Sequence, residues 1–270
     1  MKIMCHVRLL RSLPTAEYLR PLIYIGVLVI FMFISGCDRN KKDELFISVA
    51  ISLSDLFEEI IDDYESNNNI NIISNYAASQ SLASQIIYGN RSDLFIPAGI
   101  QPVEILIKNG KLPITYSPEG FITNSLVFAS VNTNEFNWDT ESISKITRIA
   151  IADPDLSPSG KYAMESLRNL LNGERMAFDL IYASNVRAAL GLLTTGSVNA
   201  AIVYATDVKN QNEIVAHDII PPDAHSAIIY PVVVLKDNSN FIQEFVEYLY
   251  SEHVEKLILK HGFISMNDRH

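Results

Sequence analysis

Four short segments place hydroxyl side chains where helices should begin: Ser52-Leu53-Ser54-Asp55, Ser79-Gln80-Ser81, Ser157-Pro158-Ser159-Gly160 and Ser184-Asn185. Each follows a strand-like run and precedes a stretch of helical period. A helix start leaves amide N–H groups without partners and carries about half a positive charge, so it accepts an anion without lysine or arginine. Serine hydroxyls add neutral donors at the same place. The plainer reading is that each serine caps its own helix. Ser52 and Asp55 have the spacing of a capping box, and Pro158 after Ser157 occupies the favoured first helical position. Position favours the anion: all four segments are strand-to-helix turns, and open α/β sheets bind ligands at the carboxyl ends of their strands.

The elements that must carry these turns alternate along the chain. Leu45–Ala50 reads as a strand, and 53–66 as a helix with apolar residues at 53, 56, 57, 60, 61 and 64. Strand 70–76, helix 80–88 stopped by Gly89, strand 93–97 and helix 103–108 stopped by Gly110 follow. Strand 125–130 opens a second half that repeats the logic: strand 148–152, helix 162–171, strand 178–182, helix 186–194, strand 200–204. A strand over 228–235 and one closing helix over 241–259 finish the chain. Such alternation predicts an α/β fold with largely parallel sheets.

Enzyme chemistry finds little support. His217, His225, His253, His261 and His270 show neither HxxxH nor HxH spacing, and Ser159 lies in Pro-Ser-Gly, not Gly-x-Ser-x-Gly. No direct metal site and no cofactor are expected. Both cysteines, Cys5 and Cys37, lie in the first 37 of 270 residues, so the folded part has no disulfide and no thiol nucleophile. The apolar run Leu22–Ile34 is too short for a bilayer span, which needs about 20 residues. With Lys2, Arg8, Arg11 and Arg20 before it and Ser35-Gly36-Cys37 after it, the run fits an export signal; an uncleaved anchor is the alternative. The cysteine after Ser-Gly resembles a bacterial lipobox. That resemblance implies cleavage after residue 36, acylation of Cys37, and a lipidated tether over 37–44 holding the protein at the periplasmic side of the cell membrane. Without residues 1–36 the chain carries 17 basic and 30 acidic residues, a net of −13, which repels nucleic acid.

A set of motifs in order makes a larger resemblance specific. Ala50-Ile51-Ser52-Leu53-Ser54-Asp55, Tyr76-Ala77-Ala78-Ser79-Gln80-Ser81-Leu82-Ala83 and Ser92-Asp93-Leu94-Phe95-Ile96 come first. Asn124-Ser125-Leu126-Val127, then Asp153-Pro154 through Pro158-Ser159-Gly160-Lys161-Tyr162-Ala163, follow. Asn185-Val186-Arg187-Ala188-Ala189-Leu190, Ile202-Val203-Tyr204-Ala205-Thr206-Asp207, Tyr230-Pro231-Val232 and His261-Gly262-Phe263 complete the series. Together they resemble the periplasmic molybdate-binding proteins of ABC-type importers, over about 46–263. The resemblance implies a type II two-lobed periplasmic-binding-protein fold, each lobe a mostly parallel sheet flanked by helices, with the ligand in the cleft. Lobe one would comprise 45–124 plus 230–270 and lobe two 125–229. It implies molybdate or tungstate as ligand, an ABC-transporter permease as partner, and a monomer.

In that family neutral donors alone hold the oxyanion. Carried over by motif position, Ser52 and Ser79 give hydroxyl and backbone N–H, Tyr204 its phenol, and Ser159 and Val186 their backbone N–H. Arg187, beside them, is expected to pair with an acid or brace the hinge. Donors without an acceptor favour a fully deprotonated oxyanion, because a protonated phosphate would leave its O–H facing donors at a cost of about 1–3 kcal/mol. Molybdate, tungstate and sulfate all meet that condition, so size must do the rest. Pro97 and Gly99-Ile100 depart from the family pattern, as do Gln80 and the placement of Trp138, and Pro97 brings no N–H donor.

Overall fold

The computed structural model describes residues 42–131, 136–209, 211–236 and 240–266. The export-signal segment and Cys37 lie outside the described residues. Among those described, no helix is long and apolar enough to cross a membrane.

The first sheet begins with β1 (Asp43–Ala50), whose inward residues Leu45, Ile47 and Val49 are fully buried. It pairs in parallel with β2 (Ile70–Ala77) and β3 (Leu94–Ile96), while β12 (Val233–Val234) runs against β3 and against β4 (Thr115–Tyr116). Four of the five strands therefore point the same way, and the one reversed strand, β12, enters right after the chain returns to this sheet. The second sheet repeats the plan in the order β10 (Val215–Ile219), β6 (Leu126–Ser130), β9 (Ala200–Tyr204), β7 (Arg148–Ala152), β8 (Asp179–Ala183). Its reversed strand is β6, again the first after a crossing. Each sheet with its helices is a lobe, and the mostly parallel α/β expectation holds.

Between the sheets, β5 (Ile122–Thr123) pairs with β11 (Ile229–Tyr230) and with β13 (Ile264–Ser265). Both crossings thus meet in one small antiparallel sheet, which also binds the end of the chain. One apolar core runs from the first sheet through Phe121, Ile122 and Tyr230 into the second.

Five helices follow where apolar periodicity placed them, α1 (Ser54–Asn67), α2 (Ser79–Ile87), α3 (Gln101–Lys108), α5 (Pro158–Leu171) and α6 (Val186–Thr194), and two short ones, α4 (Thr140–Ser144) and α7 (Ala205–Val208), were not expected. Three readings are corrected. The single closing helix is two, α8 (Asn240–Leu249) and α9 (Glu252–His261), because Ser251 stops the first and caps the second by accepting from the Val254 N–H at 3.3 Å. The strand over 228–235 is cut into β11 and β12, with Pro231 at the break. The capping box is not formed: residues 51–53 make a 3-10 turn, so α1 starts at Ser54 and Ser52 makes no capping bond.

Gly160 is where the fold demands glycine. A Cβ there would sit 2.0 Å from the Ala152 carbonyl oxygen, so the start of α5 rests directly on the end of β7. Gly191, inside α6, has nothing within 4 Å of the same position. Gly160→Ala should destabilise by about 1–3 kcal/mol through overpacking, whereas Gly191→Ala should stabilise by about 0.5–1 kcal/mol through helix propensity. Urea denaturation of both variants checks this; equal effects would mean that α5 does not meet the sheet as described.

Candidate functional site

Register brings the predicted turns together. Ala50 is level with Ala77 where β1 and β2 end, and Val49 with Ile96 in β3, so Ser52, Ser79 and Ala98 leave the first sheet at one height. In the second sheet Ala152 is level with Ala183, and Ile149 with Ala200. Ser157–Ser159, Asn185–Val186 and Tyr204 therefore emerge together at the carboxyl ends of β7, β8 and β9. Ser52, Ser79, Ser159, Val186 and Tyr204 are all buried.

The hydroxyls are not spent on capping. Ser79 Oγ accepts from the Ala98 N–H at 3.0 Å, which leaves its own proton free to donate. That amide stands one residue past Pro97 and is itself taken up by Ser79. Ser52 Oγ lies 3.4 Å from the Tyr230 hydroxyl, and Ser159 Oγ lies 2.9 Å from Ser157 Oγ. The cap of α6 is Asn185, whose side chain accepts from the Ala188 N–H at 2.9 Å, so Ser184 has no part in it.

Tyr204 differs from a core tyrosine in one respect. It is 1% exposed, yet among the described residues its hydroxyl meets no hydrogen-bond acceptor in normal geometry, and the Tyr230 hydroxyl bears on it only from nearby. Burial, with nearby Tyr230, Tyr162 and Asp207, pushes its pKa well above the ordinary phenol value, so it remains a protonated donor. Its ring lies 6.1 Å from that of Tyr230. Tyr230 had been placed only at a crossing, yet its hydroxyl accepts from Asn124 Nδ2 at 3.4 Å and can give its own proton to Ser52 Oγ. Asn124 in turn reaches Thr206 Oγ1 at 2.8 Å. Sequence reasoning missed both roles because a tyrosine ending a two-residue strand looks like any core aromatic.

Two further contacts cross the cleft beside these donors. The Gln80 N–H donates to the Leu156 carbonyl at 3.2 Å, and the Tyr162 hydroxyl to the Ala98 carbonyl at 3.4 Å. Gly99 makes the second possible, since a Cβ there would come within 2.7 Å of that hydroxyl. Tyr162 thereby forms a wall, and a cavity of about 220 Å³ beyond it, between α3 and α5, touches none of the five predicted residues.

The charge beside this cluster is paired. Arg187 Nη2 lies 2.9 Å from Asp55 Oδ2, and Nε lies 3.0 Å from Asp207 Oδ1. Burial pushes the Asp207 carboxyl up to about 7 although the Arg187 charge and hydrogen bond pull it down. Asp55 is raised by partial burial, but Arg187 outweighs this and holds it below the ordinary value. Among the described residues no three His, Cys, Asp or Glu groups assemble as a metal site. His217 is tied into the second lobe: its ring meets Ser130 Oγ at 2.7 Å and packs against Phe136.

Residues 45–264 match the model of the bacterial extracellular solute-binding proteins. The chain belongs to that family. It is 32% identical over 251 residues to YvgL of Bacillus subtilis (strain 168), named an ABC transporter substrate-binding lipoprotein, covering 89% of this chain and 96% of the relative. It is 27% identical over 238 residues to the molybdate-binding protein ModA of Haemophilus influenzae, covering 84% and 92%. Among solved structures, the substrate-binding domain of a Clostridium difficile ABC transporter named for molybdenum superposes with a TM-score of 0.66 at 30% identity, covering 83% and 100%. The protein is thus an extracytoplasmic solute-binding protein of an ABC importer and not an enzyme. A solute-binding cleft accounts for buried donors from two lobes facing one another.

Arg187→Gln should leave the fully buried Asp207 without its cation, at a cost of about 3–5 kcal/mol. The carboxyl pKa is already raised, so its protonation stabilises the fold below that value and is lost as pH rises through it. The deficit of the variant should therefore shrink from pH 8 to pH 5 in denaturation experiments. A deficit independent of pH would remove Asp207 as its cause.

Proposed function

We propose that the chain captures molybdate, with tungstate a close analogue, and hands it to the permease of an ABC importer. Ser52 and Ser79 would donate through hydroxyl and backbone N–H, Ser159 and Val186 through backbone N–H, and Tyr204 through its phenol. The carrying observation is the Tyr204 hydroxyl, fully buried and, among the described residues, without an acceptor, beside neutral donors at the ends of two sheets. A buried donor without an acceptor costs about 1–3 kcal/mol, a cost that an anion in the cleft removes. The carboxylate that bears on Tyr204, Asp207, is held by Arg187, so neither offers itself to the ligand. Such a site selects dianions and rejects protonated phosphate.

The two lobes, 45–124 with 230–270 and 125–229, would close on the anion as a monomer, turning on the small sheet of β5, β11 and β13. A ligand shifts that equilibrium only by its preference for the closed form. Acylated Cys37 would hold the protein at the periplasmic side of the membrane. Sulfate and thiosulfate share the charge, and the donors alone do not exclude them.

A thermal-shift series of the full chain in mild detergent, with molybdate, tungstate, sulfate, thiosulfate and phosphate, tests this reading. A ligand at about 100 times its dissociation constant adds about 2.7 kcal/mol. Stabilisation by molybdate and tungstate alone is expected. Stabilisation by sulfate alone would keep the site and replace the ligand, and no shift with any anion would sink the oxyanion reading. Ser52→Ala and Ser79→Ala should each weaken binding by about 1.5–3 kcal/mol. Tyr204→Phe should act in opposite senses, weakening binding while leaving the ligand-free protein equally or more stable. A Phe variant that is less stable without ligand would show the hydroxyl to be structurally bonded.

A further inference from the structure

Arg187 follows Val186 in the first turn of α6, and its guanidinium is shared by carboxylates from opposite sides of the cleft. Asp207, in α7, belongs to the same lobe; Asp55, in the first turn of α1, belongs to the other. Their surroundings are unequal. The Asp207 side chain is 0% exposed, that of Arg187 31% and that of Asp55 48%.

Those exposures assign different roles to the two contacts. A fully buried carboxylate needs its partner in every state of the protein, because removing that partner leaves an uncompensated charge. The Arg187–Asp207 pair therefore travels with lobe two as a rigid unit. Asp55, half in water already, can be rehydrated with little penalty, so its contact is the one that breaks when the lobes part.

We propose that Asp55 is a positioning residue that latches lobe one onto the Arg187–Asp207 pair and favours the closed cleft without touching the ligand. The inference rests on the oxyanion-capture reading for what closure serves. The latch lies between the two turns it would register. Asp55 is three residues beyond Ser52, Arg187 adjoins Val186, and the 51–53 turn packs against α6. Drawing Arg187 towards Asp55 brings a first-lobe hydroxyl and a second-lobe amide to the same height. The two carboxylates also occupy a cation that would otherwise compete for anions of any kind, which leaves recognition to the neutral donors.

A latch has a signature that a ligand contact lacks. Apparent affinity is the intrinsic affinity scaled by the fraction of binding-competent protein, so losing the latch weakens every ligand by one common factor. For a half-exposed charge pair with a guanidinium that factor is about 2- to 10-fold at low salt. It should fade as ionic strength rises, because exposed pairs are screened.

The test is Asp55→Asn in the full chain, titrated with molybdate and tungstate at low and high salt, with Asp55→Glu as the conservative partner. Asp55→Asn should weaken both anions equally, most strongly at low salt, and without ligand melt at or slightly below the parent; Asp55→Glu should recover part of the loss. Small-angle scattering at low salt should show the ligand-free parent more compact than Asp55→Asn. Unchanged affinities, or factors that differ between the anions, would overturn the latch. Were the parent to bind neither anion, the oxyanion reading would fall by itself. The scattering comparison would still decide: a more compact parent supports the latch, and equal radii overturn it.

Discussion

Tyr204 ends β9 with its hydroxyl in the fully buried floor of the cleft, and the surrounding structure supplies it with more donors instead of an acceptor. Ser52 lies against Tyr230, Asn124 donates to Tyr230, and Ser79 has already used its lone pair on the Ala98 amide. A buried donor left without an acceptor costs about 1–3 kcal/mol, a cost that an anion in the proposed site would remove. The architecture follows from that constraint. The two sheets end level with the site, the 3-10 turn at 51–53 withdraws Ser52 from capping, and Gly160 lets the start of α5 press against the end of β7.

The same constraint governs charge. An acidic protein that binds an anion must keep its carboxylates away from the ligand, and Arg187 does so by holding Asp55 and Asp207 together. Recognition by neutral donors then depends on distance and shape. The tight meeting of Gly99 with Tyr162 contributes the shape, because it closes the cleft towards the neighbouring cavity.

Much of this was legible in the residues. Apolar periods located α1, α2, α5 and α6, each of which buries one face, and the apolar runs located β1, β2, β7 and β9 to within a few residues, β7 and β9 being buried on both faces. Arg187 was expected to pair with an acid, and it does. The illegible parts depend on contacts between distant segments. Nothing local distinguishes Ser251 as a break inside an apolar run, or tells that Asp55 turns to Arg187 across the cleft instead of back to Ser52. Tyr230 and Asn124 gained their roles only when the two crossings paired as β5 and β11, a contact over 100 residues of chain.

The central claim is that two lobes present neutral donors to one dianion. Crystals of the chain grown with tungstate test it most directly, since the metal marks its own position by anomalous scattering. The account predicts one strong peak within hydrogen-bonding reach, through the tungstate oxygens, of the Ser52, Ser79 and Tyr204 hydroxyls, with no carboxylate in contact. A peak in the cavity beyond Tyr162, or tungstate bound to the Arg187 guanidinium, would contradict it.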